Sequence, residues 1–162
     1  MSLNKIIVVL LVSLGIASSA FAASKNRELS IDGNYIAMDG QSASLLNASI
    51  GQFITPQVAV VTALTSQRNF GYTATTIGVG GKYFFFDGFT GDLVPFAGLG
   101  IGLRLQATST DSNHGSTQYD INGGLAYFMS DSTTLDGRIR LLSFNDSSPA
   151  VIVMTAGFSQ RF

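Results

Sequence analysis

Apolar residues alternate with polar or small residues along most of this chain, in blocks that turn-forming residues separate. Such alternation is typical of β-strands, because successive side chains of a strand point to opposite faces of a sheet. The blocks are near the length of about 9–11 residues with which a β-strand crosses a bilayer. The pattern predicts an all-β fold of eight strands, at residues 28–38, 44–54, 58–66, 73–86, 94–107, 117–128, 133–143 and 151–162.

The first 22 residues have a different pattern. Lys5 precedes an apolar run over residues 6–16, and Ala20-Phe21-Ala22 has the small-x-small form of a signal-peptide cleavage site. The run is shorter than the roughly 20 residues of a membrane-spanning helix, which argues against an uncleaved anchor. We therefore expect residues 1–22 to be a cleaved signal peptide that directs export, and residues 23–162 to form one domain.

The charge content narrows the classes of function. Only 12% of the residues are charged, against 46% hydrophobic, whereas about a quarter of the residues of a soluble domain are charged. The formal net charge of −1 provides no basic surface for nucleic acid. The chain has no cysteine, so it has neither disulfides nor thiolate ligands. No cofactor or metal motif is present, and we expect none to be bound.

The alternating faces differ in polarity, which raises the question of which face points inward. In the fifth block one face is apolar, with Ala97, Leu99, Ile101, Leu103 and Leu105. The other is polar or small, with Gly98, Gly100, Gly102, Arg104 and Gln106. A transmembrane barrel turns the apolar face outward, whereas a soluble, lipocalin-like barrel turns it inward. The third block is apolar throughout, and its facing stays open.

Charges of both signs on the polar faces favour the membrane arrangement, because opposite charges neutralise one another inside a narrow lumen. The polar face of the first block carries Glu28 and Asp32. We predict an interior charge network of Lys82, Arg104, Asp120, Asp136, Arg138, Arg140 and Arg161. Small residues would leave it room, and these are Gly78, Gly80, Gly98, Gly100 and Gly102.

Hairpin geometry gives a first estimate of the pairing within this network. A fifth–sixth hairpin centred near residue 112 places Arg104 opposite Asp120. A sixth–seventh turn centred on residue 131 places Arg138 opposite Gly124, with Arg140 diagonal to Asp120. In the last hairpin, one register places Arg138 opposite Gly157.

Two segments carry a family resemblance. Val94-Pro95-Phe96-Ala97-Gly98-Leu99-Gly100-Ile101-Gly102 is similar to a Pro-aromatic-x-Gly-x-Gly pattern, and the chain ends in Phe158-Ser159-Gln160-Arg161-Phe162. With the alternation and the signal segment, the chain resembles the small eight-stranded outer-membrane β-barrel domain family of Gram-negative bacteria. The resemblance covers about residues 25–162. It implies an eight-stranded antiparallel up-and-down transmembrane β-barrel in the cell outer membrane.

The same resemblance implies partners. Outer-membrane lipid would surround the barrel, and the outer-membrane assembly machinery would read the C-terminal strand through Phe158 and Phe162. Gln160 departs from the apolar residue that this signal prefers. The termini would lie in the periplasm and the outward loops would be short. We expect a monomer. Aromatic side chains suit two interfacial girdles, and these are Tyr35, Tyr72, Tyr83, Phe85, Tyr119, Tyr127 and Phe162.

Three function classes follow from these patterns. The favoured one is a non-enzymatic outer-membrane protein with an envelope-structural or surface-interaction role. The second is a narrow, porin-like channel for small solutes, gated by Arg138 and Arg140. The third is a lipid-modifying enzyme that uses His114 and Ser116, the only His-x-Ser pair in the sequence.

Overall fold

The protein folds into a closed barrel of eight antiparallel strands, in which each strand pairs with the next and the last pairs with the first. A computed structural model describes residues 26–38, 41–69, 72–87, 89, 91–108, 114–146 and 149–162. The expected signal peptide, residues 1–22, lies outside the described residues. The strands are β1 (Arg27–Met38), β2 (Gln41–Phe53), β3 (Val58–Asn69), β4 (Tyr72–Phe84), β5 (Leu93–Thr108), β6 (His114–Phe128), β7 (Thr133–Phe144) and β8 (Val151–Arg161).

The strand count and nearly all strand positions predicted from the alternation are confirmed. Within the ranges that the structure describes, no helix is long and apolar enough to cross a membrane. The barrel has two ends, which we name by what they hold. The terminus end holds residues 26 and 162 and the ends of β2, β4 and β6, and the loop end holds the ends of β1, β3, β5 and β7.

The outer surface of the barrel is apolar, and the middle of its interior is polar and charged. Leu103 on β5 is 70% exposed, whereas the adjacent Arg104 is 1% exposed. On β1, Ile31 points outward and Asp32 is buried. This arrangement confirms the membrane-barrel prediction, and the soluble alternative with an apolar inner face is wrong. The predicted girdle residues whose outward exposure is established are Tyr35, Tyr83, Phe85, Tyr119 and Tyr127.

The facing of β3, which its continuous apolar sequence left open, is settled by its polar end. Thr65 and Gln67 are buried inside the barrel, and the alternation from them turns Val60 outward. Ala59 also lies inside the barrel and is 1% exposed.

The strand registers agree only in part with the hairpin estimates. Arg138 lies opposite Gly124 as predicted. The predicted partner of Arg104 is wrong, because Arg104 pairs with Ser116 while Asp120 pairs with Gly100. The predicted pairing of Arg138 with Gly157 is also wrong, since Thr155 occupies that position. Each observed register differs from the predicted one by an even number of residues, so every side chain stays on its predicted face of the strand.

Gly124 shows how tightly the wall is packed where it carries the charge network. A Cβ atom at Gly124 would collide with the carbonyl oxygen of Gly137 and would lie 2.9 Å from the Cα atom of Arg138. At Gly137, on the outer face of the neighbouring strand, a Cβ atom would meet nothing within 4 Å. The inner position therefore requires glycine and the outer one does not.

We predict that Gly124→Ala lowers the free energy of unfolding by about 1–3 kcal/mol, because the methyl group forces the β6–β7 backbone apart. Gly137→Ala is the matched control and should change it by no more than about 0.5 kcal/mol. Urea unfolding of the barrel in lipid vesicles measures both. Equal effects of the two substitutions would contradict the packing described here.

Candidate functional site

The centre of the barrel interior is organised around Asp32, a β1 residue that is 1% exposed. Its carboxylate lies 3.3 Å from the guanidinium of Arg138 and 3.5 Å from that of Arg140. Asn47 on β2 donates a hydrogen bond of 2.8 Å to it, and Thr65 on β3 donates one of 2.7 Å to Asn47. The Asp32 carboxylate therefore links the two arginines of β7, on one side of β1, to the polar side chains of β2 and β3 on its other side.

Two further carboxylates complete this chain of alternating charges. Arg138 contacts Asp136 at 2.7 Å, and the Nε atom of Arg140 donates a hydrogen bond of 3.0 Å to Asp120 on β6. Arg140 was expected to be diagonal to Asp120, and the two side chains are in direct contact. The order across the lumen is Asp136, Arg138, Asp32, Arg140 and Asp120.

A second group of charges lies toward the terminus end. Glu28 on β1 receives the ammonium group of Lys82 at 3.0 Å and the guanidinium of Arg161 at 3.4 Å. The two groups together contain four cations and four carboxylates, so the formal charges of the network cancel. Cancellation matters because removing an unpaired charge from water costs several kcal/mol.

Arg104, the remaining predicted member, lies apart from this network. It is buried nearer the loop end, where it pairs with Asp146 at 3.6 Å and its guanidinium lies 4.2 Å from the ring centroid of Phe144. Hairpin spacing misplaced it because the β5–β6 register brings Ser116, not Asp120, opposite Arg104.

A phenylalanine cluster occupies the interior at the terminus end. Phe84 is fully buried at its centre, with ring centroids 5.7–6.1 Å from those of its four neighbours, which are Phe53, Phe86, Phe96 and Phe128. Cations cover the cluster from the network side. Lys82 lies 4.5 Å from the Phe84 ring centroid, and Arg161 lies 4.4 Å from that of Phe53.

Sequence reasoning did not identify this cluster, although the signal was present. Phe84 is in phase with the inward-facing Lys82, and Phe96 is in phase with Gly98 and Arg104. Asp32 was recognised on a polar face but was not included in the predicted network. Extending the alternation along the whole of β4 and β5 would have assigned Phe84 and Phe96 to the interior.

A smaller apolar cluster fills part of the interior at the loop end. It consists of Leu45, Leu142 and Phe144, with the partly buried Val151 and Val153 packed against it. The interior thus changes along the barrel axis from a phenylalanine cluster, through paired charges, to a mainly aliphatic cluster that includes one phenylalanine.

Between the network and the opposite wall lies a cavity of about 90 Å³. Four of the predicted glycines line it, and these are Gly78, Gly80, Gly100 and Gly102. The fifth, Gly98, packs against the amide of Asn122. Ser49, Thr65 and Arg140 also line the cavity, which has room for a few water molecules at about 30 Å³ each.

The His-x-Ser pair lies at the start of β6. Ser116 is buried on the inner face of β6, away from the surrounding lipid surface. The His114 side chain lies outside the described residues. In the parts of the chain that are described, no group of three His, Cys, Asp or Glu residues could hold a metal ion.

Comparison with solved structures places this fold among outer-membrane barrels. Neisserial surface protein A superimposes with a TM-score of 0.69 at 16% identity, covering 85% of this chain and 97% of that one. The N-terminal β-barrel domain of Pseudomonas aeruginosa OprF gives 0.64 at 18% identity, with coverage of 84% and 96%. Yersinia pestis outer membrane protein Ail gives 0.55 at 13% identity, with coverage of 84% and 98%.

No protein-family model and no curated protein sequence matches the chain. The relationship is therefore one of fold: the chain has the fold of the small eight-stranded outer-membrane β-barrels, as its sequence resemblance implied. The same fold carries different functions in different proteins, so the function has to be argued from the residues of this barrel.

We predict that Asp32→Asn lowers the free energy of unfolding by about 3 kcal/mol. The substitution keeps the side-chain shape but leaves Arg138 and Arg140 with one fewer buried carboxylate. Asp131→Asn, in an exposed turn at the terminus end, is the matched control and should cost no more than about 0.5 kcal/mol. Denaturant unfolding in lipid vesicles gives both values, and a neutral effect of Asp32→Asn would contradict its central place in the network.

Proposed function

We propose that this protein is an integral outer-membrane barrel with a closed interior and a non-enzymatic role in envelope structure or surface interaction. The observation that carries the proposal is the inverted distribution of side chains, with apolar residues outside and a self-neutralising charge network inside. A lipid bilayer is the environment in which such an outer surface is stable. The exposed tyrosines and Phe85 suit the two boundaries between lipid and water.

The contents of the interior support a structural role over conduction. The phenylalanine cluster occupies the terminus end, and the network spans the middle with every predicted cation except Arg104 ion-paired there. Ions would have to pass the packed rings as well as Arg138 and Arg140. The packed interior makes the barrel rigid. A rigid barrel holds its connecting loops in place at the membrane surface.

The position of Ser116 supports the non-enzymatic part of the proposal. A serine nucleophile must be reached by its substrate and must have a base within hydrogen-bond distance. Ser116 is 9% exposed and inward-facing, so a lipid in the surrounding bilayer does not reach it.

We also propose that the C-terminal strand is the assembly signal. Phe158 lies on the outer face of β8 and is 47% exposed, and Phe162 follows in the same phase. Their outward position leaves both rings accessible to an assembly factor while the strand is still unpaired.

The location and the signal are tested together by separating outer-membrane fractions on a denaturing gel without and with boiling. We expect the wild-type protein in the outer-membrane fraction, as a band whose mobility changes on boiling. Phe158→Ala/Phe162→Ala should reduce that band at least several-fold, because fewer chains are assembled.

The control for this experiment is Ile139→Ala, which removes one outward apolar side chain from β7 without touching the terminal strand. It should leave the amount of folded barrel unchanged. A wild-type protein recovered from the soluble periplasm, with no mobility change, would overturn the proposed location. Normal assembly of the double variant would overturn the proposed signal alone.

Conduction is tested in planar bilayers with the purified barrel. We expect no conductance steps from the wild-type protein, and no steps from Arg138→Ala/Arg140→Ala, because the phenylalanine cluster still closes the terminus end. Adding Phe84→Ala and Phe96→Ala to the arginine variant should produce steps. Steps from the wild-type protein would support the channel alternative, and steps from the arginine variant alone would identify the charge network as the only barrier.

A further inference from the structure

The seam between the first and last strands is closed over only part of its length. Pairing between β1 and β8 runs from Glu28 opposite Arg161 to Gly33 opposite Ala156, and no further pair follows among the described residues. Both strands nevertheless continue toward the loop end. Residues 34–38 of β1 pair only with β2, and residues 151–155 of β8 pair within the described part only with β7. We call these two facing segments the open seam.

Asn34 occupies the point at which the pairing ends. Its side-chain nitrogen donates a hydrogen bond of 3.0 Å to the carbonyl oxygen of Met154, and its side-chain oxygen accepts one of 3.1 Å from the amide of Leu45. The side chain therefore bridges the two strands where backbone bonds would otherwise form.

The interior behind the open seam is filled by the smaller apolar cluster at the loop end. Leu45 lies opposite Asn34 on β2, and Val151 and Val153 belong to the β8 edge itself. These side chains are larger than the glycines and serines on the other side of the lumen. Their volume gives a physical reason for the β1–β8 pairing to end here, because a barrel this narrow closes only around what its interior holds.

An open strand edge on the membrane surface is costly. Met154 and Ile152, on the outer face of β8 beside the seam, are apolar and are 70% and 73% exposed. Backbone N–H and C=O groups that face hydrocarbon without a partner cost several kcal/mol each, so open edges are not left in contact with lipid. The open seam therefore requires a partner that donates and accepts hydrogen bonds along an extended strand.

We propose that this partner is a second copy of the same chain. A single strand inserted between β1 and β8 would have to run parallel to one of them, because the two are antiparallel, and parallel pairing is slightly less stable. A second copy related by a two-fold axis along the membrane normal presents its β8 edge to β1 and its β1 edge to β8. Both contacts are then antiparallel, and the interface closes without leaving a free edge.

The outer surface beside the open seam fits a close approach of two barrels. Gly33 and Ala156 are paired outward-facing residues where the β1–β8 pairing ends, and Gly137 lies opposite Ala156 on β7. Small residues of this kind allow backbones to approach closely in membranes. The proposal departs from the monomer expected from the sequence, and it rests on the proposed membrane location.

Cysteine cross-linking tests the proposal directly, because the natural chain contains no cysteine. A two-fold axis along the membrane normal preserves depth, so the register that pairs Gly33 with Ala156 brings Tyr35 of one chain opposite Met154 of the other. Directly opposed residues of antiparallel strands have Cα atoms about 4.5–5.5 Å apart, which is within the range that a disulfide requires. Two chains with tags of different size are produced in the same cells, one with Tyr35→Cys and the other with Met154→Cys. We expect a disulfide-linked pair of unequal chains in the outer-membrane fraction after mild oxidation.

The matched control is the pair Leu29→Cys and Gln160→Cys, which are outward-facing partners in the closed part of the seam and leave Phe158 and Phe162 in place. Divided between two chains, this pair should give no linked product. Combined in one chain, it should form an internal disulfide that prevents separation of the ends on heating.

Tyr35→Cys and Met154→Cys are tested in the same two ways, divided between two chains and combined in one chain. An internal disulfide in one chain, as efficient as that of the control and without a product between chains, would show that the seam closes on itself and would overturn the proposal. No disulfide in either arrangement would mean that water or lipid fills the seam, which also overturns it. Cross-linking is scored only on barrels that change mobility on boiling, so failure of membrane insertion is recognised separately.

Discussion

The pairing of buried charges is the constraint on which this interior depends. Asp32 holds Arg138 and Arg140, and Glu28 holds Lys82 and Arg161, so two carboxylates of one strand organise four cations from three others. Breaking a buried pair leaves an uncompensated charge, which is far more costly than the pair is favourable. The network therefore specifies the alignment of β1 against β7 and β8 more than it contributes to net stability.

The glycines and the charges are two parts of the same arrangement. Long cationic side chains extend from β4, β7 and β8 across the lumen, and the wall that they approach carries glycine, serine and threonine. Large residues on both sides would not fit in a barrel of eight strands. The small cavity lies between the long cationic side chains and the small residues of the facing wall. Its polar groups suit water that completes the hydrogen bonds of Ser30 and Arg140.

Alternation along each strand was sufficient to predict the fold, since the facing of a side chain depends only on whether its position is odd or even. It placed Leu103 outside and Arg104 inside correctly. It could not predict that Arg104 pairs with Asp146, because strand register is set by loop conformation and by contacts between distant strands. The partners of Asp32 could not be predicted for the same reason. Arg138 is more than a hundred residues away in sequence and becomes a neighbour of Asp32 only when the barrel closes.

The distribution of charge among the strands also bears on how the barrel enters a membrane. The β1–β2 hairpin carries the inward carboxylates Glu28 and Asp32, whereas their cationic partners lie on β4, β7 and β8. A hairpin that crossed the bilayer by itself would carry two uncompensated negative charges into hydrocarbon, at a cost of several kcal/mol for each. Stepwise insertion of hairpins is therefore unfavourable for this sequence. The carboxylates of the first hairpin are neutralised only when that hairpin faces the last one, so the burial of charge is linked to closure of the barrel.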